Sequence, residues 1–185
     1  MRGDPPGEPT GTARPGTVRP SRVDSDEVAA GEALAAELDL ELLPLEGGLF
    51  RRTFSGTVGT AILFMLIDDD FSAMHRLAGD EIYFHHSGSP LRMLLIDPEG
   101  RPQEVIIGPD VHAGAQPQFH VPANWWQGSS PVGAWSLVST VVMPGFDWRD
   151  FVLAERDFLT GLVGEKGGRD VQDRIVELTR QEPLP

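Results

Sequence analysis

The sequence predicts a mostly β protein, an antiparallel sandwich or barrel with helices at both ends. Short apolar or alternating runs fill the region 49–148, and turn-forming segments separate them at intervals of roughly 8 to 15 residues. Helical spacing of apolar residues occurs before and after this region and not within it. Many short strands without helices between them are typical of antiparallel all-β architectures.

Composition narrows the classes of function. The chain has 185 residues, a formal net charge of −13 and no cysteine. It lacks the basic stripe that neutralises phosphates, so we expect neither nucleic acid nor a membrane surface as a partner. The absence of cysteine excludes disulfides and thiolate ligands. There is no apolar run of roughly 18 residues and no secretory apolar region near the start, so we expect a cytoplasmic protein.

The N-terminal part divides into a tail and a helix. Residues 1–23 are rich in Pro, Gly and Thr, and we expect a disordered tail because they offer little apolar surface to bury. A helix is predicted from Asp24, which can cap it, to Pro44, which stops it. Gly47-Gly48 then predicts a turn into the first strand.

The remaining elements are predicted from the period of the apolar residues and from the turn-forming residues between them. Strands are predicted at LFRRTFS, TAILFMLI, EIYFHHS, LRMLLID, QEVIIG, QFHVP and SLVSTVVM. Two short helices are predicted at LAERDFLTGLVGE and VQDRIVELTR. The chain thus divides into the tail 1–23, a main domain 24–160 and a helical appendage 161–185.

Four separated blocks carry the chemistry of the sequence. Residues 74–88, MHRLAGDEIYFHHSG, hold three of the five histidines and the pair Asp80-Glu81. The other blocks are EGG at 46–48 with Arg52 and Thr53 after it, VPANWWQ at 121–127 and PGFDWRDF at 144–151. Their identity, order and spacing resemble the Cupin_5 (DUF985) subfamily of the cupin superfamily, over about residues 28–160.

This resemblance implies a jelly-roll β-barrel of the RmlC-like type. It also implies a small-molecule ligand in the barrel lumen and a homodimer. It leaves the reaction open, because cupins include dioxygenases, isomerases, sugar epimerases, cyclases and binders without activity.

The resemblance also bears on metal binding. A metal-bearing cupin supplies three histidines and a glutamate, and the corresponding positions here are His75, Leu77, Glu81 and Gln127. Leucine cannot ligate, and an amide oxygen is a poor replacement for imidazole. We therefore favour no metal. If Fe, Mn, Ni or Zn binds, its ligands are His75, Glu81 and Gln127, unless His85 or His120 enters the lumen and rebuilds the site.

Proton transfer is the other use of a His–Glu pair in an apolar barrel. The predicted catalytic residues are His75 and Glu81, with Tyr83 as a second acid on the same strand face. Predicted substrate-binding residues supply hydrogen bonds, charge or apolar walls: Arg52, Phe64, His85, His120, Trp126 and Gln127. Glu46 is equally consistent with a device that fixes the strand entry and with a catalytic group. The PGFDWRDF block is expected to be structural, with Phe146, Trp148 and Phe151 plugging the barrel end.

These observations favour a metal-independent isomerase, epimerase or cyclase type of enzyme. Its substrate would be a small oxygenated metabolite, similar to a sugar or a polyketide. Two alternatives stay open: a divalent-metal-dependent oxygenase or isomerase, and a ligand-binding cupin without catalytic activity.

Overall fold

The computed structural model describes residues 23–180. Almost all of the predicted tail 1–23, and the last five residues of the predicted appendage, lie outside this range. Within it, none of the helices is long and apolar enough to cross a membrane.

The described residues form a mostly β fold with helices at both ends, as predicted. The helices are α1 (Ser25–Glu37), α2 (Arg156–Val163) and α3 (Gly168–Glu177). The strands are β1 (Glu41–Leu42), β2 (Leu49–Gly56), β3 (Gly59–Ile67), β4 (Ser72–Leu77), β5 (Asp80–Gly88), β6 (Leu91–Ile96), β7 (Pro102–Ile107), β8 (Gln118–Val121), β9 (Trp126–Pro131), β10 (Trp135–Met143) and β11 (Phe151–Leu153).

The strands form two antiparallel sheets of jelly-roll type. One has the order β1-β2-β3-β10-β5-β8, and the other has the order β11-β4-β9-β6-β7. Between them lies an apolar core, to which the first sheet contributes Phe64 and Tyr83 and the second contributes Met93 and Leu95. Because successive side chains of a strand point to opposite faces, this core uses alternate residues of each strand.

Helices cover the outer face of the five-stranded sheet. The outward residues Leu94, Ile96 and Trp126 pack against Leu159 of α2 and Ile175 of α3. Strand β6 is therefore buried on both faces over most of its length, which explains why its sequence LRMLLI is apolar except for Arg92. The same packing turns Trp126 away from the space between the sheets.

Helix α1 covers part of the six-stranded sheet in the same way. Asp24 caps it, and its Oδ1 accepts a hydrogen bond of 2.9 Å from the backbone N–H of Asp26. The helix ends at Glu37, earlier than the predicted end at Pro44, because Asp39 takes a left-handed conformation with φ of 51°. The segment after Asp39 then forms β1.

The loop between β1 and β2 depends on left-handed glycines. Gly48 has φ of +77°, and a Cβ there would lie 2.5 Å from a ring carbon of Phe64. Its N–H donates to Asp70 Oδ2 at 2.8 Å. Asp70 Oδ1 accepts from Arg180, beyond α3, also at 2.8 Å. The C-terminal region therefore holds this loop in place.

We expect Gly48→Ala to lower the free energy of unfolding by about 2–4 kcal/mol, through its backbone conformation and the overlap with Phe64. Gly161→Ala is the matched control, since a Cβ at this position in α2 meets nothing within 4 Å. It should raise stability by up to about 1 kcal/mol. Urea denaturation measures both, and equal effects of the two variants would contradict the loop geometry.

Candidate functional site

A cavity of about 320 Å³ lies between the two sheets at one end of the sandwich. This volume is at the low end of the range for small-molecule sites. Its walls are mainly apolar, and Leu43, Phe50, Ile62 and Val142 contribute to them. The polar side chains on the walls are Glu41, Glu46, Arg52, Thr60, His75, Glu81 and Thr140. An apolar enclosure with a few polar groups of this kind is typical of a ligand site.

His75 lies on β4 with only 1% of its surface exposed. Its Nδ1 is 2.8 Å from the carbonyl oxygen of Ala73, which can only accept, so Nδ1 carries the proton. The ring stacks on Phe151 of β11 with centroids 5.1 Å apart. Burial lowers the pKa of His75, although the charge of Glu81 opposes this shift. Burial thus favours a neutral imidazole, although the hydrogen bond to Ala73 also opposes this shift, and the Ala73 carbonyl leaves Nε2 as the unprotonated nitrogen.

Glu81 lies on β5, in the opposite sheet, and is also buried. Its Oε2 accepts a hydrogen bond of 2.6 Å from Gln127 Nε2. The hydroxyl of Tyr83 is 3.5 Å from the same oxygen. Burial raises the pKa of Glu81, while a positive charge on His75 would lower it. Burial therefore drives both members of the pair toward their neutral forms.

Glu46, which is partly buried, also brings its carboxyl group to this cavity, beside Glu81 and the exposed Glu41. It belongs to the loop between β1 and β2, and its Oε1 accepts a hydrogen bond of 2.7 Å from Ser72 Oγ. Burial raises the pKa of Glu46 to about 7, against the lowering effect of Ser72. A carboxyl group with this pKa exchanges protons at neutral pH.

Gln127 contacts Glu81 from outside the cavity. It lies opposite His75 in the pairing of β9 with β4 and is 1% exposed. Its Oε1 has no hydrogen-bond partner among residues 23–180. Gln127 is absent from the cavity wall. It therefore orients Glu81, whereas the sequence predicted that it would contact substrate.

Two other predicted residues lie in the core. Tyr83 and Phe64 are almost fully buried between the sheets and do not line the cavity. The prediction of Tyr83 as a second catalytic acid is thus not supported by its position. Burial and the neighbouring carboxyl groups also raise its pKa well above the usual value. Both residues border the site without lining the cavity.

Two of the predicted histidines also lie away from the cavity. His85 shares the face of Glu81 but lies four residues farther along β5, about 13 Å away. Its Nε2 is 3.1 Å from the carbonyl oxygen of Ser89. His120 pairs with Ile82, so it has the opposite orientation from Glu81. It is exposed and lies 2.9 Å from Asp80 Oδ1.

The prediction that Trp126 contacts substrate is not supported, because Trp126 faces outward toward the C-terminal helices. The guanidinium of Arg76 lies 5.0 Å from the centre of its ring. Arg52 is the substrate-binding candidate that does line the cavity, where it is exposed at the end formed by β2.

The sequence did not predict that the aromatic turn after β10 contributes to the wall of the cavity. The rings of Phe146 and Trp148 pack edge to face with centroids 5.0 Å apart, and Trp148 stays 44% exposed. Both also line the cavity, so the block is part of the site. Their aromatic character was visible in the sequence, whereas their position on the cavity wall depends on the path of the chain after β10.

The donor set does not fit a conventional catalytic metal centre. Among residues 23–180 no group of three His, Cys, Asp or Glu side chains is placed to hold a metal ion. Leu77 lines the cavity at the position where a third strong ligand would be needed. The amide nitrogen of Gln127 contacts Glu81, so this side chain competes for the carboxylate. We therefore derive no chemical step through a metal.

With this geometry established, comparison with known proteins defines the class of protein. The profile of Cupin_5, described as Cupin superfamily (DUF985), matches residues 32–154. The chain therefore belongs to the Cupin_5 family, and its fold is the small-molecule-binding fold of the cupin superfamily.

Solved structures agree with this assignment. Protein SO0799 from Shewanella oneidensis has 30% sequence identity and a TM-score of 0.74, over 82% of this chain and 98% of that one. A hypothetical protein from Leishmania major has 27% identity and a TM-score of 0.71, over 81% and 98% of the two chains.

Oxalate decarboxylase from Bacillus subtilis shares the fold alone, at 12% identity and a TM-score of 0.53, over 80% of this chain and 39% of that one. No curated protein matched the sequence.

We expect Glu46→Gln to flatten the pH dependence of stability. The folded protein retains the Glu46 proton up to about pH 7, whereas the unfolded chain releases it near the ordinary value of 4.5. Wild-type stability should therefore fall as pH rises through this window, and the variant should lack that contribution. Thermal unfolding from pH 4.5 to 8 measures the difference.

Glu165→Gln, at an exposed position, serves as the control and should follow the wild-type curve. If the Glu46→Gln curve also runs parallel to that of the wild type, burial does not shift the Glu46 proton.

Proposed function

We propose that this cupin is a metal-independent enzyme of the isomerase, epimerase or cyclase type, which moves a proton on a small oxygenated molecule. The observation that carries the proposal is the pairing of His75 and Glu81 on the walls of one small apolar cavity. The two residues come from opposite sheets, so a molecule between the sheets contacts both.

His75 Nε2 is the proton acceptor in this proposal. The Ala73 carbonyl fixes the proton on Nδ1, and among the described residues Nε2 takes no hydrogen bond that would compete with a substrate. A side chain held in one tautomer needs little reorganisation before proton transfer. The stack on Phe151 holds the plane of the ring.

Glu81 stabilises the charge that this transfer creates. Coulomb attraction between Glu81 and His75 raises the pKa of the imidazole and lowers that of the carboxyl group. In this proposal Glu81 is ionised before the transfer and Gln127 donates a hydrogen bond to its carboxylate, so the charged pair forms when a proton reaches His75. The carbonyl group of Ala73 orients the ring.

The walls suit a small substrate. His75 and Glu81 lie at the buried part of the cavity, where apolar side chains reduce contact with water and strengthen electrostatic interactions. Arg52 extends the site toward solvent and is able to bind a carboxylate or phosphate of the substrate.

We expect His75→Asn and Glu81→Gln each to lower the rate of proton exchange at a substrate carbon by about 10²–10⁴-fold. Asparagine keeps an amide donor near the position of Nδ1, and glutamine keeps an acceptor for Gln127. The measurement is hydrogen–deuterium exchange by NMR, with acetoin, dihydroxyacetone and glyceraldehyde as probes in deuterated buffer.

His112→Asn is the control, because His112 is exposed in a short turn away from the cavity. Thermal unfolding of each variant distinguishes a catalytic loss from misfolding. Equal exchange by the wild type and folded His75→Asn would refute the acid–base proposal, and tight probe binding without any exchange would indicate a binding protein.

We further expect the purified protein to hold well under one equivalent of Fe, Mn, Ni or Zn, because its donor set includes only one imidazole and one carboxylate in the conventional positions. Elemental analysis measures the content, and thermal shift with each ion tests binding. Stoichiometric metal that is lost in His75→Asn would favour the metal-dependent alternative.

A further inference from the structure

The backbone on both sides of Glu46 takes uncommon conformations. Leu45 has φ of +65° and Gly47 has φ of +96°, so residues in the left-handed region flank Glu46. The left-handed region is unfavourable for leucine, and such conformations cluster at functional sites. The conformation turns the Glu46 side chain into the cavity, where it lies with His75 and Glu81.

Neighbouring segments hold Glu46 in this orientation. Its carbonyl oxygen accepts a hydrogen bond of 2.9 Å from the N–H of Ala73. Its Oε1 accepts from the Ser72 hydroxyl at 2.7 Å. Beyond Glu46, the N–H of Gly48 donates a hydrogen bond to Asp70, which also accepts one from Arg180. A device for strand entry alone requires the backbone contacts and does not require a carboxyl group in the cavity.

We propose that Glu46 is a third catalytic residue, which donates a proton to the carbonyl oxygen of an α-hydroxy carbonyl substrate while His75 takes the proton from the adjacent carbon. This inference rests on the proton-transfer function proposed above and names the substrate class. The class contains compounds with neighbouring carbonyl and hydroxyl carbons, such as small aldoses, ketoses and acyloins.

The step balances without any further reactant. The carbon–hydrogen bond next to the carbonyl breaks, its proton goes to His75 Nε2, and its electron pair forms a carbon–carbon double bond. The carbonyl π pair takes the proton of Glu46, which gives a neutral enediol. Return of the His75 proton to the former carbonyl carbon, with loss of the other hydroxyl proton to Glu46, completes a 1,2 shift. Return of the His75 proton to the original carbon on the same face, with return of the oxygen-bound proton to Glu46, regenerates the substrate.

The protonation states required for this step coexist near neutral pH. Glu46 must be protonated, and its pKa of about 7 permits this up to neutrality. His75 must be neutral, and burial lowers its pKa. The other charged or titratable groups that face Glu46 across the cavity or behind its loop are Glu41, Arg52, Asp70, Glu81, Tyr83 and Arg180.

The decisive variant is Glu46→Gln. Its amide oxygen still accepts the Ser72 hydrogen bond, so it preserves a structural role, but it cannot donate a carboxylic proton. We expect exchange at carbon in acetoin, dihydroxyacetone or glyceraldehyde to fall by about 10²-fold or more, with stability retained. Glu46→Asp should restore part of the rate. Glu165→Gln, at an exposed position, should behave as the wild type.

A pH profile separates catalysis from packing. In the wild type the exchange rate should decline above about pH 7 as Glu46 loses its proton. Ser72→Ala removes a hydrogen bond that lowers the pKa of Glu46, so this decline should move to higher pH. In Glu46→Gln the decline should disappear from the residual rate.

The outcomes are distinct. If Glu46→Gln keeps the wild-type rate and profile while His75→Asn loses exchange, Glu46 only anchors its loop, and this inference fails while the proposed function stands. If wild-type protein exchanges none of the three probes, both proposals fail. Loss in both variants with a changed pH profile supports the three-residue site.

Discussion

The hydrogen bond from Gln127 to Glu81 joins the two sheets, and the arrangement of the site depends on it. Gln127 belongs to the five-stranded sheet and Glu81 to the six-stranded sheet, and their atoms are 2.6 Å apart. Because β9 pairs with β4, the same bond fixes the distance between Glu81 and His75. Buried polar groups require such partners, so the separation of the sheets at this end is closely determined.

This constraint explains the electrostatics of the cavity. The imidazole of His75, the buried carboxyl group of Glu81 and the partly buried carboxyl group of Glu46 lie on the walls of one mainly apolar cavity, and burial favours the uncharged form of each group. The closeness of His75 and Glu81 opposes the effect of burial, since it stabilises the charged form of this pair. A site balanced between these two states can accept and return a proton at low energetic cost.

The sequence predicted the fold class well, because alternating strands and four family motifs are local signals. It predicted less about β4, β9 and β11. Strand β4, with sequence SAMHRL, is buried on both faces and shows little alternation. Strand β11 has only three residues and forms through pairing with β4. Such strands depend on tertiary contacts that a local pattern does not contain.

The same distinction applies to the candidate site. The parity of β5 correctly placed Glu81 inside the sandwich, but parity alone did not show that His85 lies too far along the strand to reach the cavity. Trp126 was expected inside, and it faces the helices because β9 presents that face to α2 and α3. The position of Glu46 depends on the backbone of one loop and on partners distant in sequence, which no residue pattern near it reveals.

The cover that α2 and α3 provide has a consequence for how the binding site can diversify. Strands β4 and β9 carry His75 and Gln127 on one face and pack under the helices with the other, so a substitution on either face disturbs a packed core. Arg52 and Trp148, by contrast, line the cavity while facing solvent, and side chains of different size or charge fit there at little structural cost. Substitutions at Arg52 and Trp148 are therefore the simplest route to an altered substrate preference, because they leave the reaction centre unchanged.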